Sequence, residues 1–262
     1  MTFLLYLLVG AFAGVLAGLF GIGGGMVIVP VLIISFTAAG ISPEVMTHMA
    51  VATSLTTIVF TSISSVHEHH SKGAIDWSIV RSMTFGIVVG TALGVAFISE
   101  VPGPVLQIII GVFALLVAAK MFSGWEPPGS GARPSAKGFM TAGSMIGFGS
   151  SWFGIGGGTF TVPYLSWMRF DMRQAVATSA ACGIPIALTG AVANVAAGWD
   201  NELLPSGATG YIYWPAVVGI ALTSVPFARV GAKLAHRLDA ALLKKLFAVL
   251  LCVVGIRFIF FS

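Results

Sequence analysis

The residues best placed to do chemistry in this chain are glycines and hydroxyls. Gly21-Ile22-Gly23-Gly24-Gly25, followed by Val29-Pro30, recurs 133 positions on (21 to 154) as Gly154-Ile155-Gly156-Gly157-Gly158, followed by Val162-Pro163. Ala50-Val51-Ala52-Thr53-Ser54 recurs 125 positions on (50 to 175) as Ala175-Val176-Ala177-Thr178-Ser179. Consecutive glycines leave backbone N–H groups unobstructed, and a helix starting at Gly25 or Gly158 points its positive end back at the break. That combination is a cradle for an anion. The hydroxyls of Thr53, Ser54, Thr178 and Ser179 either donate to such an anion or bond back to carbonyls of their own helix. Ser150, Ser151 and Thr159 flank the second glycine segment, and Asn194 is a further polar side chain within an apolar run.

Other chemistries fit less well. A dinucleotide loop requires a strand before the glycines and a βαβ unit around them, and the surroundings of GIGGG are long apolar runs. His67-Glu68-His69-His70 has Ser71 where the metalloprotease spacing needs a second histidine, so it reads as a solvated helix end and no metal is assigned. A serine hydrolase built on Ser150 or Ser151 would need a buried histidine base, and the nearest downstream, His236, falls at the end of a run. Cys182 and Cys252 match no redox or metal spacing and read as packed thiols. Neither an enzyme nor a cofactor is expected.

The elements that position these residues follow from composition. The 262 residues are 57% hydrophobic and 8% charged, against about 25% charged in soluble domains. The 13 Lys and Arg and 9 Asp and Glu cannot clothe a globule of this size in a hydrated surface. The chain is therefore a membrane protein, its surroundings the lipid bilayer, and the net charge of +4 is spread too thinly to mark a nucleic-acid binder. The N-terminal stretch from Met1 lacks a basic start and a cleavage site and reads as a retained membrane segment.

Apolar runs cover about 3–20, 26–39, 45–66, 75–98 and 104–122, then 138–153, 159–168, 174–197, 211–235 and 241–261. The repeat divides the chain into halves 1–122 and 138–262, joined by a Pro- and Gly-rich linker at 123–137 on the cytoplasmic side. A looser match sets Gly73, Ile75 and Trp77 against Gly210, Ile212 and Trp214, 137 positions on (73 to 210). Each half opens with two runs hinged at a glycine segment, and the second run of each pair is too short to cross at about 1.5 Å per residue. These predict re-entrant or broken hairpins, each followed by three spanning helices. The fold expected is thus an all-α integral membrane protein of two inverted-topology repeats.

Charge placement sets the orientation. With the first hairpin's ends on one face, Lys72, Lys120, Arg133, Lys137, Arg169, Arg173, Lys233, Arg237, Lys244 and Lys245 fall on the other. Glu44, Glu100, Asp200 and Glu202 fall on the first. The basic face is cytoplasmic by the positive-inside rule, so both termini are expected outside. Arg81 and Arg229 lie near the cytoplasmic ends of their runs and either snorkel to the interface or face the cavity and attract anions. Since Asp and Glu are confined to helix ends and loops, the acids that cation pumps place within the membrane are missing from the pattern, and a small anion is the favoured substrate.

The doubled glycine segments, Gly18-Leu19-Phe20-Gly21-Ile22-Gly23-Gly24-Gly25 with Pro30 and Gly154-Ile155-Gly156-Gly157-Gly158 with Pro163, each followed by Ala-Val-Ala-Thr-Ser, closely resemble the TauE/SafE family of membrane transporters. The resemblance spans essentially the whole chain. It implies export of sulfite, a sulfonate or a related organosulfur anion across the bacterial cytoplasmic membrane, by alternating access around the two glycine breaks. The second half departs locally, with Ser151-Trp152-Phe153 where the first has Gly18-Leu19-Phe20. An anion channel sharing the site, and an intramembrane hydrolase or metalloenzyme, are the rival readings.

Overall fold

The computed structural model describes residues 2–20, 25–123, 129, 134–235 and 240–260. Ten helices follow one another among them: α1 (Thr2–Phe20), α2 (Gly25–Ala38), α3 (Pro43–Ser71), α4 (Trp77–Ile98), α5 (Gly103–Ser123), α6 (Ala136–Phe153), α7 (Gly158–Trp167), α8 (Met172–Ala197), α9 (Trp214–Ala235) and α10 (Ala240–Phe260). A two-stranded antiparallel ribbon, β1 (Ala208–Thr209) and β2 (Ile212–Tyr213), precedes α9. Every apolar run of the sequence is matched by a helix, with ends displaced by a few residues at most.

The helix starts are marked by side-chain caps. Asp76 Oδ1 accepts from the N–H groups of Ser78 (3.1 Å) and Ile79 (3.3 Å) at the head of α4, and Asp171 accepts from Arg173 N–H (3.0 Å) at the head of α8. Ser135 caps α6 through Gly138 N–H. Each supplies an acceptor to backbone donors that the helix leaves without a partner. Gly154, at φ 61°, ends α6 in the left-handed conformation, which a side chain would resist.

Among the described residues four helices, α3, α4, α5 and α8, are long and apolar enough to cross a membrane. Outward-facing side chains such as Phe85 and Phe97 are about two-thirds exposed, as expected where the surrounding solvent is hydrocarbon. Among the described residues, the buried polar side chains are Ser, Thr, Asn, Gln and His48, with no Asp, Glu, Lys or Arg.

Glycines set the helix pairing. A Cβ on Gly143 or Gly147 of α6 would lie 2.5 Å from the carbonyl oxygens of Met83 or Ile87 of α4, and Gly86, Gly90 and Gly94 of α4 abut Met140, Ser144 and Ser151 in return. Helix α1 meets α9 in the same manner, with a Cβ on Gly14 falling 2.5 Å from Ser224 O and Thr223 Oγ1 donating to Leu7 O at 2.8 Å. These are small-residue seams of the kind that let backbones approach in a membrane, where apolar lipid offers no hydrophobic drive. The central pair is α3 and α8. Leu55 stands against Gly190 and Ser62 against Gly183, so the two helices run antiparallel. Leu115 against Gly255 and Gly111 against Phe258 give α5 and α10 the same relationship.

Each short hairpin brings its two ends together. Phe139, near the start of α6, meets Tyr164, near the end of α7, edge to face at 6.5 Å. Tyr6 of α1 and Phe36 of α2 both pack on Tyr213, at 6.2 and 5.6 Å.

Candidate functional site

The second glycine break, Gly154 to Gly157, lies in the notch between α3 and α8. Ser54, a buried hydroxyl of α3, donates to the Gly154 carbonyl at 2.7 Å. One turn further along α3, Ile58 faces Gly156, with Cγ2 3.2 Å from where a Cβ would stand. A turn beyond that, Ser62 faces Gly183 of α8, whose own missing Cβ would lie 3.6 Å from Gly157 N. On the α8 side, a Cβ on Gly157 would come 2.8 Å from Ser179 O. The break is thus threaded between two helices, tightly against backbone at Gly157 and with more room at Gly156 and Gly183.

The last glycine of the first segment meets the second break. Gly25, which begins α2, stands against the second break so closely that a Cβ would lie 2.5 Å from Gly154 O and 2.8 Å from Ile155 Cα. The N-terminal ends of α2 and α7 therefore converge on one region, each carrying the partial positive charge of unpaired N–H groups. Gly158 begins α7, and its preceding residue Gly157 makes no side-chain cap. Beside the region, Met26, Val29, Phe113, Phe153, Ile155 and Leu251 line an apolar cleft, walled by Phe113 stacked on Phe153.

Around the second break four buried polar atoms have no hydrogen-bond partner among the described residues: Ser150 Oγ, Trp152 Nε1, Thr159 Oγ1 and Thr161 Oγ1. Buried polar groups in native folds are almost always satisfied, so such a concentration at one place asks for an explanation. Thr161 is fully buried, and its hydroxyl lies 3.4 Å from the Cβ position of Gly157.

Thr53 and Thr178 are both engaged. Thr53 Oγ1 accepts from Tyr213 N–H, and Thr178 Oγ1 accepts from Asp76 N–H, each at 3.0 Å. Ser179 is buried beside Gly157. Ser151 donates to Phe148 O at 2.8 Å and faces Gly94 in the α4–α6 seam. Asn194 is buried near the far end of α8 and donates to Gly190 O at 2.8 Å. Arg81 is exposed one turn into α4. Arg229 lies in α9 with its side chain outside the described residues, as do Gly21, Gly23 and Gly24 altogether. The sequence reading passed over Ile58, Ser62, Thr161 and Gly183. Ser62 and Gly183 carried a signal, standing two turns and one turn beyond Ser54 and Ser179 on the same helix faces.

The histidine cluster closes α3 in an ordinary way. Glu68 pairs with Lys72 at 2.6 Å and Trp77 Nε1 donates to His70 Nδ1 at 3.3 Å. Among the described residues no three His, Cys, Asp or Glu side chains gather to hold a metal. Cys182 and Cys252 are unpaired thiols.

The chain is similar along its length to proteins of bacteria and archaea. The family model described as sulfite exporter TauE/SafE matches residues 6–258. A probable membrane transporter protein of Haemophilus influenzae is 38% identical over 255 residues, covering 97% of each chain. One from Methanocaldococcus jannaschii is 28% identical, covering 96% of this chain and 93% of its own. A Bacillus subtilis relative, also named a probable membrane transporter protein, is 26% identical over 97% and 94%. No solved structure matches. With apolar helices through most of the described residues and a family match over nearly the whole chain, this multi-pass membrane transporter belongs to the TauE/SafE family.

Proposed function

We propose that the protein exports a small sulfur-containing anion, sulfite or a sulfonate, by alternating access of two inverted halves, 1–122 and 138–262. The observation that carries this reading is the meeting of Gly25 with Gly154 and Ile155, which sets two helix N-termini against one another at the junction of the halves. Repeated transporters hold substrate at such interrupted helices, and N-terminal amides favour an anion. The buried hydroxyls there, and the lack of a buried Asp, Glu, Lys or Arg among the described residues, fit an uncomplicated anion site.

The inversion is supported by helix direction. Helices α3 and α8 occupy equivalent places in the repeat and run antiparallel, as do α5 and α10. On this reading both termini face outward and the basic loops face the cytoplasm. Export then runs down the membrane potential, gaining about 2.3 kcal/mol per elementary charge per 100 mV, so no coupling ion is required.

Purified protein reconstituted into vesicles should move labelled sulfite or a sulfonate in counterflow, and Gly156→Leu should abolish that flux while the variant still inserts and purifies. Transport of a cation with no flux of any sulfur anion would sink the proposal. Channel-like currents, far above carrier turnover, would replace alternating access with a pore.

A further inference from the structure

The repeat makes a comparison between the two halves that the site does not honour. Position 58 of α3 corresponds to position 183 of α8, 125 residues on (58 to 183), and the two carry Ile and Gly. Ile58 is fully buried and stands between the breaks: its Cδ1 is 3.1 Å from the Cβ position of Gly25, and its Cγ2 is 3.2 Å from that of Gly156. At Gly183 the corresponding side chain is missing. What faces that spot is polar: Ser62 Oγ at 3.2 Å and Gly157 N at 3.6 Å from the Cβ position. Thr161 Oγ1 adjoins Gly157 from the first turn of α7, buried and without a partner among the described residues.

We infer that the anion is held on one side only, over Gly183, by the Gly157 N–H and the hydroxyls of Ser62 and Thr161, and that Ile58 is the wall that limits its size. This rests on the transport reading above and adds the residues that select within it. The donors are the right kind: a helix N-terminal amide and two hydroxyls can all point hydrogens at an oxyanion. A buried threonine hydroxyl with no partner among the described residues is costly, and an acceptor is what a bound oxyanion supplies. Ile58 explains the shape. A branched side chain wedged between Gly25 and Gly156 closes the space where a substituent on the anion would extend, so a compact oxyanion fits and a chain-bearing one is opposed.

The test uses the full chain in vesicles, with sulfite and ethanesulfonate as the two probes. Wild type should favour sulfite. Ile58→Ala should narrow the sulfite-to-ethanesulfonate ratio of kcat/KM about tenfold, chiefly by improving the larger anion, because a size wall acts on selectivity. Thr161→Val should raise KM for both anions about tenfold or more, the scale of one hydrogen bond to a charged group, with Thr161→Ser restoring it. Should Thr161→Val fail to fold, Ser62→Ala reads the same donor set with a smaller change. If wild type moves neither anion, the transport reading fails and this inference with it. If wild type moves them and Ile58→Ala keeps its selectivity, or Thr161→Val and Ser62→Ala keep their KM, only the present inference is overturned.

Discussion

Thr53 Oγ1 accepts a hydrogen bond from the backbone N–H of Tyr213 at 3.0 Å, across 160 residues of chain. The repeat carries Thr53 to Thr178 (125 on) and Asp76 to Tyr213 (137 on), and Thr178 Oγ1 accepts from Asp76 N–H at the same 3.0 Å. One bond is thus made twice, with the halves exchanging roles. Each ties a long central helix of one half to the residue that leads into a helix of the other, and does so through a fully buried hydroxyl. Threonine to valine at either position keeps the shape and strands a backbone donor. Each change should cost about 1–3 kcal/mol, read as a lower melting temperature in detergent. Because the two bonds are separate, the double variant should lose close to the sum, within about 0.5 kcal/mol.

The glycine seams and the glycine breaks should answer differently to the same insult. Gly147→Leu drives a side chain into the Ile87 carbonyl and the Thr91 hydroxyl of α4, where only separation of the helices gives relief, and should abolish folded protein on size-exclusion chromatography. Gly156→Leu meets the flexible methyls of Ile58 first and should leave a monodisperse but inactive protein. Equal loss of folded material from both would mean the break is a packing element and no more.

Ser54→Ala removes the donor to Gly154 O. The carbonyl belongs to the one left-handed glycine of the second break, so its release loosens the turn that aims α7. A cost of about 1–2 kcal/mol in stability is expected, together with a KM effect that exceeds the kcat effect. Ser54→Thr should retain most of the bond.

Asp76 and Asp171 stand where coupling carboxylates would be sought, and their work is capping. Asp76→Asn keeps an acceptor for Ser78 and Ile79 and should transport at wild-type rates. Asp76→Ala should cost about 1 kcal/mol of stability, and Asp171→Ala the same at α8. Loss of flux in stable Asp76→Asn protein would reveal a protonatable role that the cap geometry does not suggest.

Much of this architecture was legible in the residues because lipid enforces a simple rule: backbone must be helical wherever it is apolar. The ends of α4, α8 and α10 could be placed from hydropathy to within about two residues, whereas α3 runs five residues past its apolar run, to Ser71. The closing of α6 on α7 followed from the shortness of the second run. What did not follow was partnership. The choice of α9 for α1, and α6 for α4, rests on Gly10, Gly14, Gly86, Gly90, Gly143 and Gly147, and nothing in one helix's spacing names its neighbour. The surroundings of the candidate residues were hidden for the same reason. The bonds of Thr53 and Thr178 go neither to an anion nor back to their own helix, because their partners, Tyr213 and Asp76, lie far along the chain where no spacing names them, and Ile58 gives no sign in the sequence of standing between Gly25 and Gly156.

The mismatch of Ile58 and Gly183 also bears on the resting state that the proposed carrier would adopt. In a perfectly duplicated, inverted chain the outward-open and inward-open forms would be related by rotation and would be degenerate in energy. On the proposed alternating-access reading, a bulky aliphatic group on one side of the axis and a bare backbone on the other lifts that degeneracy, so the empty carrier would have a preferred side and different apparent affinities on its two faces, while the gradient alone sets the direction of net flux.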